Sequence, residues 1–213
     1  MRVVADFCLI PCFFHCSHLV GAYAGCKSHG LHFGFHIILI AMNQLAATSF
    51  STCDFCDDHK ADASGQFRVL PSVFKDYGGV VQFHGQVVTV KCYEDNSHVK
   101  KAVESAGRGR VLVVDGAASL RRALLGGNLA TAAALNGWAG VVIDGCARDA
   151  AELAAQQVGI RALALNPMPT LRADQGMTDV SVFIQGIAVH PGDWLYADAD
   201  GMVISSYALH AIS

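Results

Sequence analysis

The apolar positions of this chain change rhythm along its length. Val80 to Phe83 and Gln86 to Tyr93 alternate or run apolar, are rich in β-branched residues and are bounded by glycines, which predicts strands. The segments RVLVV (Arg110 to Val114) and GVVI (Gly140 to Ile143) read as fully buried strands, stopping at Asp115-Gly116 and Asp144-Gly145. A further strand is predicted from Ile160 to Leu165, running into Asn166-Pro167. Helical spacing falls on Ser51 to Asp62, with Ser51 or Thr52 as cap, and on Asn96 or Ser97 through Ala106. It falls again on the alanine-rich Asn128 to Asn136, closed by Gly137, and on Arg148 to Ala155. Gln66 to Val73 reads as loop, Tyr77-Gly78-Gly79 as a turn, and Ser119 to Leu125 fits no single period. Val180 to Ser206 reads as short strands split by Gly186, Pro191-Gly192 and Asp200-Gly201. Strands come first, then β–α alternation, then strands again. An all-parallel sheet would alternate throughout. The order predicts an α/β domain with two packed sheets and a helical layer.

Composition narrows the function. The chain has 213 residues, 53% of them hydrophobic and 15% charged, with a formal net charge of −3. That suits one folded domain with an ample core and excludes bulk disorder. Mild acidity argues against a nucleic-acid partner, which needs a basic face. No apolar run reaches the roughly 18 residues of a membrane span.

The two ends differ. Residues 1–41 hold four of the eight cysteines and five of the ten histidines, but only three charges: Arg2, Asp6 and Lys27. Residues 42–213 carry 13 basic and 17 acidic side chains and read as an ordinary domain. Residues 1–41 are therefore expected to be an extension outside the folded domain, or the product of a mis-set start with Met42 as the working initiator. Three other readings compete. A secretory signal would use Ala22-Tyr23-Ala24, or a lipoprotein-like Ala24-Gly25-Cys26, but Asp6 interrupts its apolar stretch. A transit peptide would need more arginine and serine. A metal site could gather Cys8, Cys12, Cys16 and His15 on one helical face, although structural zinc sites favour tighter pairs.

Cys53 and Cys56 form a lone CxxC without a second pair, and read as helical thiols, buried or half-exposed. Reduced cysteines and a cytoplasmic location are expected. The chain contains no GxGxxG after a strand, and no GxxxxGK[ST], HExxH or GxSxG motif. His84, His98, His190 and His210 stand isolated, Asp198 and Asp200 near Gly201 could bind a metal but fit a solvated turn better, and Arg121-Arg122 fits a salt-bridging face better than an RNA contact.

Chemistry concentrates after the two buried strands, because ligands in α/β folds gather at carboxyl ends of strands. The first leads into Leu125-Gly126-Gly127-Asn128-Leu129-Ala130, where glycines admit a ligand to a helix start with free N–H groups. The second leads into Asp144-Gly145-Cys146-Ala147-Arg148-Asp149. Arg148 can grip a carboxylate or enolate with its planar fork. Asp149 can supply one hard oxygen to Mg²⁺ or Mn²⁺, ions that keep waters and use one or two protein carboxylates. Taken alone, each feature also fits a plain helix start or a capped surface turn.

These segments resemble the regulator of ribonuclease E activity A (RraA-like) family, which includes the class II 4-hydroxy-4-methyl-2-oxoglutarate aldolases. The likeness covers about residues 50–206. It runs through Phe74 to Gly79, Gln86 to Asn96, Gly107 to Gly116, Leu120 to Ala130, Gly137 to Gly140, Gly145 to Asp149, Val158 to Ala162 and Trp194 to Gly201.

The resemblance implies a swivelling β/β/α layered domain, assembled as a homotrimer or a hexamer with the active site at a subunit interface. It implies that Asp149 contacts a divalent cation, that Arg148 contacts the substrate, and that Gly126, Gly127, Asn128 and Leu129 bind a pyruvyl carboxylate. Many aldolase members carry an acidic residue where Gly127 stands, so the surroundings of the metal are expected to differ here. The expected reaction is metal-dependent retro-aldol cleavage of 4-hydroxy-4-methyl-2-oxoglutarate to two pyruvates. Oxaloacetate decarboxylation would follow through the same pyruvate enolate. No Schiff-base lysine is expected, since Lys91, Lys100 and Lys101 show no evident pocket in the sequence. The alternative is a non-catalytic regulator that binds and inhibits ribonuclease E. Regulator members often lack the aspartate after the arginine, and this chain has it. A quinone methyltransferase would need a cofactor loop that the sequence lacks.

Overall fold

One strand, Phe83–Lys91 (β3), organises the architecture. Its nine residues alternate buried and less buried positions, as a strand with two unlike faces should. The computed structural model describes residues 50–210. In it, β3 pairs antiparallel with Trp194–Ala197 (β10) through Phe83 to Gln86, then parallel with Val111–Leu125 (β4) through Val87 to Lys91. A single strand thus serves two sheets.

The first sheet continues antiparallel from β10 to Met202–Ser205 (β11) and then to Phe67–Val69 (β1). The second is parallel from β3 through β4 to Gly140–Ala147 (β5) and Gly159–Leu165 (β6), and antiparallel Lys75–Asp76 (β2) closes it. Met177–Thr178 (β7) pairs with the end of β3, and Val182–Ile184 (β8) forms a hairpin with Ile187–Val189 (β9). The helices are Thr52–His59 (α1), Ser97–Val103 (α2), Gly127–Leu135 (α3) and Ala150–Ala154 (α4).

Period-two alternation sorts the core into two layers. Val111, Val113 and Val142 pack with Val182, Leu195 and Ile204 between the sheets. Leu112, Val114, Val141 and Ile143 point the other way, onto Ala130, Ala133 and Leu153 of the helices. The result is the expected β/β/α layering. Phe83 is seated where the parallel sheet offers no side chains. Its ring lies over Gly140 and Gly159, which are register partners on β5 and β6, and a Cβ on either glycine would collide with the ring.

Several expectations of extent are corrected. β4 and β5 do not stop at Asp115-Gly116 and Asp144-Gly145. β4 runs on to Leu125 and β5 to Ala147, and the pair continues through register shifts. Ala117 and Ala118 take left-handed φ of 54° and 51°, a bulge after which β4 rejoins β5 at Ser119, and a second register shift precedes the pairing of Ala123 with Cys146. Val80 to Gln82 lies outside β3, which instead runs unbroken through Gly85. Strand β1 lies in the segment expected to be loop. The second and fourth helices are shorter than predicted, Ser97–Val103 and Ala150–Ala154.

Asp198 is not a solvated turn residue. It is buried, accepts both the Thr52 N–H and the Thr52 hydroxyl at 2.7 Å, and so fixes the start of α1. Ser51 caps the same helix by accepting the Asp54 N–H. Cys53 is exposed and Cys56 half-buried. Arg121 and Arg122 both reach Glu94, at 2.7 and 3.6 Å, as the salt-bridging reading expected. The readings of residues 1–41, and the boundary at Met42, lie outside the described residues. No described helix is long and apolar enough to cross a membrane.

Candidate active site

The extended β4 and β5 carry the site. Their last paired residues, Leu125 and Ala147, are both buried, and the Arg148 N–H donates to the Leu125 carbonyl at 2.9 Å. That register delivers the start of α3 and the Arg148-Asp149 turn to one place. The six residues singled out in the sequence therefore converge. Gly126, Asn128, Leu129, Arg148 and Asp149 line a single pocket of about 330 Å³. Gly127 lies just behind it.

The turn is locally strained. Asp149 holds φ 65° and ψ 50°, a left-handed conformation that Asp tolerates better than most residues. Its carbonyl accepts the Glu152 and Leu153 N–H groups and starts α4. Its carboxylate turns back: Oδ2 accepts the Gly127 N–H at 3.0 Å and lies 3.5 Å from Arg148 Nε. Gly126, the N-cap residue of α3, has no side chain to cap it, so Asp149 supplies the cap from another element. A Cβ on Gly126 would come within 2.7 Å of Asp149 Oδ2 and 3.0 Å of Arg148 Nε.

This modifies the expected cradle. The Gly127 amide is committed to Asp149, and the Leu129 amide donates to the Gly126 carbonyl at 3.0 Å. Among the described residues, Asn128 keeps the amide of this first turn that has no protein acceptor. A carboxylate arriving here would meet one free N–H, the helix dipole and the Arg148 guanidinium.

Sequence reasoning missed Glu152. A Cβ on Gly127 would run into the Glu152 carboxylate, so Glu152 occupies the space that a side chain at position 127 would take. The signal was the spacing of Asp149 and Glu152, three residues apart at the start of a helix and so on one face. Two carboxylates thus flank the α3 start. Among the described residues no cluster of three or more metal-ligating side chains exists. Asp149 lines the pocket and Glu152 stands behind it at Gly127, and one or two carboxylates are the protein donor set that a hard, water-keeping Mg²⁺ or Mn²⁺ takes.

Two further walls flank the pocket. Asn96, Lys100 and Glu104 come from α2 and its flanks. Lys100 does have a pocket, contrary to expectation, but it is 40% exposed and its Nζ lies 3.0 Å from Glu104. An amine used for Schiff-base chemistry is commonly desolvated, whereas Lys100 is exposed and ion-paired. The opposite wall is a strap containing Pro169, Thr170 and Arg172. Two isolated bridges hold it, Pro169 to Ala123 and Leu171 to Asp95. Asp95 is buried, and its Oδ2 accepts the Ala173 and Gln175 N–H groups at 2.7 and 3.2 Å, while Oδ1 accepts the Ser97 N–H. Burial pushes its pKa up, but these hydrogen bonds prevail and hold it down at about 2.

Comparison with known proteins identifies the family. The RraA-like family model (Aldolase/RraA) matches residues 52–204. A protein of Albidiferax ferrireducens named "Putative 4-hydroxy-4-methyl-2-oxoglutarate aldolase" is 66% identical over 166 residues, spanning 74% of this chain and 96% of its own. A Burkholderia mallei protein of the same name is 51% identical, over 75% of this chain and 98% of its own. Among solved structures, the RNA-processing inhibitor RraA from Thermus thermophilis superimposes with a TM-score of 0.72 at 41% identity, covering 77% of this chain and 97% of that one. A structure described as an S-adenosylmethionine:2-dimethylmenaquinone methyltransferase from Geobacillus kaustophilus gives 0.71 at 40% identity, covering 77% and 99%. With its fold and most of its length matched, the chain belongs to the RraA-like (Aldolase/RraA) family.

Proposed function

We propose that this protein is a divalent-metal-dependent carbon–carbon lyase that cleaves 4-hydroxy-4-methyl-2-oxoglutarate to two pyruvates and also decarboxylates oxaloacetate. The observation that carries the reading is the convergence of Arg148, Asp149 and the α3 start on one pocket. The names of the relatives from Albidiferax and Burkholderia support the same substrate.

Asp149 and Glu152 would hold Mg²⁺ or Mn²⁺, which when bound supplies Lewis-acid polarisation of a keto group. The chain's own groups do the rest. The Asn128 N–H and the positive end of α3 orient the 2-oxo acid carboxylate. The Arg148 guanidinium donates to the keto oxygen, where negative charge grows as the C–C bond breaks, and so favours the transition state over the ground state. Because only the electrophile leaving that carbon differs, one arrangement serves both retro-aldol cleavage and decarboxylation. The pocket's open side fits completion of the site by a neighbouring subunit in a trimer or hexamer.

The rival reading, a regulator that binds and inhibits ribonuclease E, draws on the name of the Thermus structure. The pocket with its charged pair favours chemistry. The test is pyruvate release from 4-hydroxy-4-methyl-2-oxoglutarate and from oxaloacetate with Mg²⁺, after EDTA, and after Mg²⁺ is returned, alongside calorimetric titration of Mg²⁺ into the apoprotein. Activity that survives complete metal removal overturns the metal-dependent mechanism. Absence of pyruvate under all conditions overturns the aldolase.

A further inference from the structure

The two cations of the pocket wall that lie away from the reacting centre are not equivalent. Lys100 is neutralised by Glu104 one helical turn away. Arg172 also lines the pocket, yet it has no carboxylate partner among the described residues. The strap's bridges give its direction of approach. Pro169 lies against Ala123, on the strand that leads to Gly126, whereas Leu171 lies against Asp95, beside the start of α2. Arg172 therefore enters the pocket from the α2 side, and Arg148 and Asp149 from the β5 side.

Its backbone is also held. The bridge at Leu171 precedes Arg172, and the Ala173 and Gln175 N–H groups that follow it are bound to the Asp95 carboxylate. An arginine on a fixed backbone loses less freedom on binding than one on a free loop. Its planar fork matches a carboxylate in a two-point contact that a lysine cannot make.

We infer that Arg172 is a specificity-determining residue that binds the distal carboxylate of the substrate, so that the enzyme prefers dicarboxylic 2-oxo acids to monocarboxylic ones. The inference rests on the aldolase reading, in which the 2-oxo acid end lies at Arg148 and the α3 start. A substrate with a carboxylate on the carbinol carbon then carries its second charge towards the α2 side of the pocket, where Arg172 meets it.

The experiment compares two substrates with the same reacting atoms: 4-hydroxy-4-methyl-2-oxoglutarate, and 4-hydroxy-2-oxopentanoate, which lacks the distal carboxylate. For Arg172→Ala, kcat/KM for the dicarboxylate falls by roughly 10- to 100-fold, the worth of one charge-assisted hydrogen bond. The loss for the monocarboxylate is much smaller, and circular dichroism with thermal melting serves as the control for folding. Arg172→Lys recovers part of the loss. If Arg172→Ala lowers both substrates equally, or neither, the distal subsite is overturned while the aldolase stands. If the wild-type protein cleaves neither substrate with Mg²⁺ present, the aldolase reading itself fails.

Discussion

The carboxylate of Asp149 accepts the backbone N–H of Gly127 at 3.0 Å, across 22 residues of chain. One side chain thereby caps α3, holds the left-handed turn before α4 and faces the pocket. The same bond limits how far the carboxylate can move, as the proposed role of Asp149 in holding a cation would require.

Replacing Asp149 separates these tasks. Asp149→Asn keeps an oxygen that can accept from Gly127 but removes the charge. The variant should fold, with thermal stability close to wild type, and lose turnover by roughly 100-fold or more, in the range seen when a group that stabilises developing charge is lost. Mg²⁺ affinity measured by calorimetry should fall with it. Unchanged Mg²⁺ binding would remove Asp149 from the metal's ligands.

Arg148→Ala should lower kcat by roughly 100- to 1,000-fold with a smaller change in KM, because the charge that it meets develops mainly as the bond breaks. Steady-state kinetics with either substrate reads this. A rise in KM at constant kcat would mean that Arg148 only binds the ground state.

Glu152 and Gly127 share one space. Gly127→Ala should therefore displace the Glu152 carboxylate and weaken Mg²⁺ binding, even though alanine is ordinarily the better helix residue. Glu152→Gln should weaken Mg²⁺ binding as well, without the steric effect. Placing an acid at 127 while truncating 152, in Gly127→Asp with Glu152→Ala, should restore part of the affinity. Calorimetric titration of the three variants tests this, and full Mg²⁺ affinity in Glu152→Gln would exclude that carboxylate.

Asp95 anchors the strap, and its pKa gives stability an acid limb. Since its folded value is depressed to about 2, the stabilisation is complete above the unfolded value near 4 and is lost as pH falls through about 2. Asp95→Asn should cost about 1–3 kcal/mol at neutral pH and flatten that limb, as read by urea unfolding between pH 2 and 7. It should also raise KM for the dicarboxylate, because the backbone on both sides of Arg172 is released.

Much of this was legible in the sequence. The strand runs RVLVV and GVVI are period-free because both faces of β4 and β5 are covered, one by the other sheet and one by helices. The glycine pair and the Arg148-Asp149 dipeptide stand out because few residue types suit a helix opening and a strand-to-helix turn. The resemblance to a family then joined two weak signals into one site.

What the chain alone determined was local: which segments are strands or helices, and which carry groups able to bind an acid and a cation. Where β4 and β5 end was decided by pairing. Residues 116–125 have no strand period of their own, and they extend only because β5 offers hydrogen bonds beyond the bulge at Ala117 and Ala118. The roles of Glu152, Asp95 and Arg172 were tertiary as well. A carboxylate or guanidinium acquires its partner through space: the spacing of Asp149 and Glu152 put both near one helix start, but the collision at Gly127 and the strap's hold on Asp95 leave no spacing to read. Hydrophobic period is written residue by residue, whereas the meeting of charges depends on how distant elements pack.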